Sequence, residues 1–476
     1  MDIFLQVLDY FNIVFIVLTV ISTLAQVIFM LLSLFCKKVV FKKAEKQNKI
    51  AVLIPAHNEG KIVKTLITAL HNQDYPKDKY DIIVIAHNCT DNTKQVAIKN
   101  GAQVFVCESE KKLKGYALKM AIDEYLKPDY DYDFYVVVDA DCRVESNYLT
   151  EMNNAYDSGV DIARSYLGGT NTFSNTISQV STLYDIRDGR LTARVREKLK
   201  MNVQLIGNSF LMSRKLLEDF GGFPSSDSLT EDSDLMVKCM LKKYRIHYVE
   251  DAICYTEHSE KVSELFKRNM RLGKGINKIF WRDGIKLIGK FFTTFKITYI
   301  DIFFTLAFLP ISLISCTWFP VYYVFLILKM LITGAPVLHM TMQLSLQEFV
   351  PMAILVVALM VIMLSLQGVM AVFLQRDRLL KEDKWTKYLK GIAMMCPIML
   401  LTNLAITCGI LSPKLSWKQV ERIHTNEENF EHTDTQKDNA ITSEITEISS
   451  DENLDKTQNS NQDNLIQADS EISEEE

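Results

Sequence analysis

Four apolar stretches, at residues 11–35, 299–333, 350–374 and 388–411, constrain this chain more than any other feature. Each reaches the roughly 20 residues that an α-helix needs to cross the hydrocarbon core of a bilayer. The sequence therefore predicts an integral, multi-pass membrane protein. The first stretch is too long for a secretion-signal core, has Asp2 and Asp9 ahead of it and lacks a small-residue cleavage site, so it is expected to stay as an anchor. Lys37, Lys38, Lys42, Lys43, Lys46 and Lys49 follow it, which places that side in the cytoplasm and the amino terminus outside.

Charge along the remainder extends this topology. Residues 334–349 hold no Lys or Arg and are expected outside, whereas Arg376, Arg378, Lys381, Lys384 and Lys387 put 375–387 inside. The stretch 388–411 has basic residues on both flanks, since Lys414, Lys418 and Arg422 follow it. Either Pro397 breaks it into a re-entrant hairpin or the tail ends outside, and the hairpin is favoured. Beyond Thr425, 16 Asp and Glu face only Lys437 and Lys456, so the tail carries −14 of the net −5 and the rest of the chain +9. With Phe430 its sole aromatic, the tail is expected to be disordered. The expected organisation is an anchor with a basic linker (1–48), a soluble domain (49–258), amphipathic interfacial helices (259–298), a carboxyl-terminal membrane region (299–420) and the acidic tail (421–476).

The nine cysteines show no C-x-x-C pair or metal-ligand spacing and are read as reduced thiols. Asn88-Cys89-Thr90 fits a glycosylation acceptor but falls on the cytoplasmic side, so it is expected to stay unmodified. Nothing points to nucleic acid as a partner.

Within 49–258, IAVLIPA (50–56), DIIVIA (81–86), QVFVCE (103–108) and FYVVVDA (134–140) read as strands. Helix-like runs lie around 61–70, 90–99 and 116–125, which gives the βαβ rhythm of a mostly parallel sheet. Ligands of such sheets bind beyond the carboxyl ends of the strands. Asp139 and Asp141 stand at such an end. If the strand continues through them, both carboxylates face one way, and a hard cation such as Mg²⁺ or Mn²⁺ would answer the cost of burying two like charges. On spacing alone, a surface loop is the better explanation of D-x-D.

IPAHNEG (54–60), HNCTD (87–91), KGYAL (114–118), VVDADC (137–142), LTED (229–232) and RNMRLGKG (268–275) occur in that order. Together they resemble the membrane-bound family 2 glycosyltransferases, a group that includes cellulose, hyaluronan and poly-N-acetylglucosamine synthases. The resemblance runs from about Lys49 to Trp417. It implies an α/β fold: a GT-A (Rossmann-like) nucleotide-sugar domain inserted between transmembrane helices. It also implies an inverting transferase that moves a sugar from a nucleoside diphosphate donor, UDP-GlcNAc or UDP-Glc, to a growing surface glycan or a lipid-linked acceptor.

By the same resemblance, Pro55, His57, Asn58 and Glu59 match the nucleotide-facing loop, and Lys114 the lysine beside the nucleotide. Asp139 and Asp141 match the pair that reaches diphosphate and metal (Mg²⁺ or Mn²⁺). Asp232 matches the catalytic base, and Gly207, Asn208 and Glu231 the acceptor side. The simpler reading of Asp232 is a cap or first-turn acid of the helix that follows. Asp91 is expected to cap the helix after it, GGFP (221–224) reads as a turn, and Trp417 is given no role in catalysis.

The chain departs from this family's pattern in two places. His87 stands where relatives place an aspartate for the base, and in the Q-x-x-R-W segment Arg268 replaces glutamine and Leu272 tryptophan, while Arg271 keeps the arginine. Lys267, Arg271 and Lys274 share one helical face, which would suit either a clamp on the leaving diphosphate, with Arg268 and Arg271 as donor-binding residues, or attraction to membrane lipid. Loss of the tryptophan favours a second reading, transfer of one sugar to a lipid carrier. A third is a non-catalytic membrane scaffold.

Overall fold

A computed structural model describes residues 27–307, 361–379 and 385–412, with Tyr10, Val14, Val17 and Leu24 ahead of them. About half of the first apolar stretch, most of the second, residues 350–360 of the third and all of the acidic tail lie outside the described residues.

The domain begins with β1 (Ile50–Ala56), α1 (Val63–His71), β2 (Tyr80–His87), α2 (Thr93–Lys99), β3 (Gln103–Cys107), α3 (Lys114–Tyr125) and β4 (Phe134–Val138). There follow β5 (Cys142–Val144), α4 (Tyr148–Asp157), β6 (Ile162–Gly169), α5 (Thr176–Arg187), α6 (Arg194–Lys198), β7 (Ser209–Ser213), α7 (Arg214–Phe220), α8 (Glu231–Leu241) and β8 (Ile246–Thr256).

These strands form one mixed sheet in the order β3-β2-β1-β4-β7-β6-β8-β5. The first four pair in parallel, as the sequence predicts. The other half is not parallel throughout, because β7 runs antiparallel to β4 and β6, and β5 antiparallel to β8. Both faces are covered, which is why the strands read as unbroken apolar runs. Ala51 and Leu53 of β1 join one core with α3, while Ile50, Val52 and Ile54 join another with α1 and α4. Val63, Leu66, Ile67 and Leu70 supply the buried stripe of α1 at helical spacing.

Only residues 139–141 separate β4 from β5, yet β5 pairs at the opposite edge of the sheet. Three residues reach at most about 11 Å, so the sheet must curl to bring its edge back beside the end of β4. This corrects one expectation. Asp139 and Asp141 lie in a turn, closed by the Cys142 N–H donating to the Asp139 carbonyl at 2.9 Å, and strand alternation does not orient them.

After the domain come α9 (Val262–Ile279), a π turn (Phe280–Gly284) and α10 (Ile285–Thr294), the expected amphipathic segment. Apolar helices α11 (Ile297–Ala307) and α12 (Val361–Leu374) follow, then α13 (Leu389–Leu411). Among the described residues, only Trp385–Leu411 is long and apolar enough to cross a membrane. The hairpin expected there does not form. Pro397 sits inside a continuous 23-residue helix, about 35 Å long, because a proline forfeits one backbone bond that packing against neighbouring helices offsets. At the crossing of α9 and α13, a β-carbon on Gly273 would lie 2.4 Å from the Ile406 carbonyl, so only glycine admits this approach.

Candidate active site

The loops at the carboxyl ends of β1 and β2 are knitted together by their own side chains. Asn58 and Asn88 both adopt left-handed backbone, with φ of 56° and 49°. The Asn58 Oδ1 accepts from the Thr90 N–H at 2.8 Å, and the Asn88 amide exchanges two bonds with the Ser109 backbone. Asp91 accepts from the Thr93 N–H at the start of α2 and, across the gap, from the Gly60 N–H at 3.0 Å. Burial alone would raise its pKa, but these bonds outweigh it and hold the carboxyl below the usual range. The expected cap thus also ties the Glu59–Gly60 loop in place.

His57 donates through Nδ1 to the His87 carbonyl at 2.7 Å. The His87 ring is buried, with Nε2 on the Lys111 carbonyl at 3.0 Å, and burial lowers its pKa. His87 therefore holds the 108–113 loop, and Pro55 lies in β1 opposite Ile85.

The centre of the site is Lys114, the first residue of α3. Its ammonium reaches Asp139 Oδ1 at 2.6 Å, the Gly207 carbonyl at 2.8 Å and Glu231 Oε1 at 3.1 Å. Burial works against that charge, yet the two carboxylates prevail and raise the lysine pKa above its ordinary value. The following residue explains how the helix gets so close: a β-carbon on Gly115 would lie 2.4 Å from the Ser225 carbonyl. The Lys-Gly pair was the sequence signal for this approach, although it did not disclose Glu231 as the partner of the lysine.

Glu231 and Asp232 open α8, where acids suit the helix dipole. Asp232 Oδ1 accepts from the Ser233 N–H at 2.7 Å, so the helix-start reading holds structurally. Its carboxylate lies near the Gly207 peptide, which opposes the rise of its pKa, and a β-carbon on Gly207 would stand 3.3 Å from both acids. The Gly207 peptide thus bonds to Lys114 and stands close to Asp232. Next to it, the Asn208 carbonyl accepts from the Asp139 N–H at 3.0 Å, and its amide donates to Thr256 at 3.1 Å.

Acid dominates this group. Burial pushes the Asp139 carboxyl up to about 6, with Lys114 opposing and Asp141 adding to the rise. Burial and then Glu231 push Asp232 up to about 6 as well. The donor set fits a hard divalent ion, since Asp139 and Asp141 offer only carboxylate oxygen and their mutual repulsion favours a cation. Among the described residues no group of three His, Cys, Asp or Glu is placed to hold a metal, and an ion held by this pair would complete its shell from phosphate and water.

Arg268 and Arg271 do not join the group, and among the described residues neither forms an ion pair. Arg268 is exposed and Arg271 half-buried on α9, while Lys274 donates to the Ser412 carbonyl at 3.1 Å. Leu272, at the tryptophan position, packs against the core that contains α3 and α8.

Residues 47–275 match the family model described as "Glycosyltransferase like family 2". The chain is 24 % identical over 246 residues to glycosyltransferase AglE of Haloferax volcanii, covering 50 % of this chain and 76 % of that protein. It is 26 % identical over 255 residues to the poly-beta-1,6-N-acetyl-D-glucosamine synthase of Staphylococcus aureus, covering 52 % of this chain and 57 % of that enzyme. Among solved structures, the mannosyltransferase PcManGT of Pyrobaculum calidifontis in complex with GDP-Man and Mn²⁺ aligns with 78 % of this chain and 99 % of its own, at 17 % identity and a TM-score of 0.48.

Proposed function

We propose that residues 47–275, which match the glycosyltransferase family 2 model and form a mixed α/β sheet, are a GT-A domain of that family, and that the chain is an inverting enzyme that elongates a surface glycan from a uridine diphosphate sugar, UDP-GlcNAc or UDP-Glc. The observation that carries this reading is the Lys114 ammonium, bound to Asp139 on one side and Glu231 on the other. It joins the acid pair suited to a donor diphosphate and its metal to the acid pair suited to an acceptor hydroxyl.

In this mechanism Asp232 takes the proton from the acceptor hydroxyl as the oxygen attacks the anomeric carbon from the face opposite the nucleotide. The Ser233 N–H holds that carboxylate in place. Lys114 lies beside Asp139, where charge builds as the nucleoside diphosphate departs, and its ammonium offsets part of it. Mg²⁺ or Mn²⁺ on Asp139 and Asp141 would supply Lewis-acid stabilisation of the same diphosphate. The enzyme would sit in the cell membrane as a multi-pass protein, with its catalytic domain in the cytoplasm and membrane lipid around its apolar helices.

Leu272 favours a second reading, one sugar added to a lipid carrier. Half-buried against the core and aliphatic, it offers no flat apolar face to an acceptor sugar. The test incubates the purified protein with a panel of nucleotide sugars and Mn²⁺ or Mg²⁺, follows nucleotide release and sizes the products. Long chains support elongation and single additions support the lipid carrier. No release with any donor refutes both.

A further inference from the structure

Away from the Lys114 group, a second set of buried side chains is left short of partners. It lies where β6, β8, the π turn Asp188–Ala193 and the end of α12 meet. The Arg164 guanidinium stands 5.2 Å over the Tyr248 ring, and Arg378 stands 4.4 Å over the Tyr166 ring. The Tyr166 hydroxyl donates to Gln375 Oε1 at 3.0 Å. Gly189 lets the Tyr248 hydroxyl approach the π turn closely, since a β-carbon there would sit 2.8 Å from that hydroxyl and 3.7 Å from the Tyr166 ring.

Arg164, Tyr248 and Gln375 are 2 %, 1 % and 5 % exposed. Even so, Arg164 Nε and Nη1, the Tyr248 hydroxyl, Gln375 Nε2 and Arg378 Nη1 have no hydrogen-bond partner among the described residues. Every one of these groups is a donor. A buried donor left unmade is costly, and a charged one more so. What the set lacks is an acceptor.

Charge narrows the choice of acceptor. Asp188 takes only the Nη2 of Arg164, at 2.5 Å, and Glu250 is bound to Arg194. Asp251 takes Lys38 at 2.7 Å and stands 3.9 Å from Arg378. Arg190 has carbonyls for partners, Ser33 at 2.9 Å and Leu374 at 3.5 Å. Lys38 and the four arginines thus outnumber Asp188, Glu250, Asp251 and Asp185, the last standing 3.2 Å from His258 with its Oδ2 unbonded among the described residues. The β8 strand bulges here, its register against β6 jumping from Val249 to Ile253, which carries Glu250 and Asp251 out to those partners.

We propose that Arg164, Tyr248, Gln375 and Arg378 bind a phosphate group, an oxyanion that accepts from all four and answers the excess of cations. Arginine suits such a ligand because its planar fork donates twice. Arg190 is joined to Ser33 and Leu374, the ends of the helical residues 27–33 and of α12. The site therefore stands at the mouth of two apolar helices, the level of a phospholipid headgroup. The half-exposed side chain of Arg378 forms the open side. Free phosphate shares the chemistry. This assignment is independent of the reading given to Lys114, Asp139 and Asp232.

The test uses the full chain in a phosphate-free maltoside detergent, with thermal unfolding followed against three titrants: inorganic phosphate, short-chain phosphatidylglycerol, and octyl glucoside as an amphiphile without phosphate. A saturable rise in the midpoint with phosphatidylglycerol alone assigns a lipid headgroup, and a rise with phosphate as well assigns the free ion. Gln375→Leu and Arg378→Gln should each weaken the apparent affinity about tenfold. Arg376→Gln, an exposed neighbour paired with Asp377, should not. Absence of a saturable shift, an equal shift with octyl glucoside, or equal effects of Arg376→Gln and Arg378→Gln would overturn the proposal.

Discussion

Lys114 and Asp139 meet at 2.6 Å, the lysine at the first position of α3 and the aspartate in the turn after β4. The same ammonium serves Glu231, so removing it leaves two half-buried carboxylates without their cation. Lys114→Met should cost about 2 kcal/mol, the scale of a lost hydrogen bond between charged groups. It should also lower donor affinity. Thermal unfolding and donor titration read the two effects separately, and a variant with normal stability and affinity would remove Lys114 from the centre of the site.

Asp232→Asn keeps the shape of the side chain and most of its bonds but cannot take a proton. Transfer should fall by about 10²- to 10⁴-fold, the usual contribution of a positioned base, while nucleotide-sugar binding survives. Steady-state turnover with parallel donor titration checks this. Normal turnover would mean that another group accepts the acceptor proton.

Asp139 and Asp232 both titrate near 6 when folded, against an ordinary value of 3.8. Between those values the native state binds more protons than the unfolded chain, so stability should fall as pH rises from about 4 through about 6 and then level off. Activity should run the other way, rising through about pH 6 as Asp232 loses its proton. A pH series of unfolding midpoints and initial rates should show the two curves crossing, and Asp232→Asn should flatten part of the stability curve.

Chelation should abolish nucleotide release, and Mn²⁺ or Mg²⁺ should restore it. Asp141→Asn should raise the metal concentration needed for half-maximal rate while leaving the fold intact, since Asp141 lies in a turn at the edge of the site. Full activity in excess chelator would rule out a metal-assisted departure.

Arg196 and Asp301 form a buried two-bond ion pair at 2.8 and 3.2 Å that ties α6 to α11. Removing one partner strands the other charge, so Arg196→Met should cost about 3–5 kcal/mol. The double variant Arg196→Met/Asp301→Leu should recover much of that loss, because a packed apolar pair avoids the desolvation of both ions. Unfolding of the single and double variants in detergent provides the comparison.

Local pattern determined a good deal of this protein. The apolar runs of β1, β2 and β4, buried on both faces, announced the parallel half of the sheet, and the helical stripe of α1 and the first-turn acids of α8 were legible from spacing. Such features depend on neighbours within a few residues, so composition and period encode them. Tertiary closure decided the remainder. It took the curl of the sheet to bring β5 back beside β4, which turned Asp139 and Asp141 out of a strand, and it set Lys114 against Gly207, 93 residues away. Packing also carried α13 straight through Pro397 and buried Arg164 beside Tyr248. Contacts of that kind depend on which surfaces meet once the chain is compact, and no stretch of sequence records its distant partner.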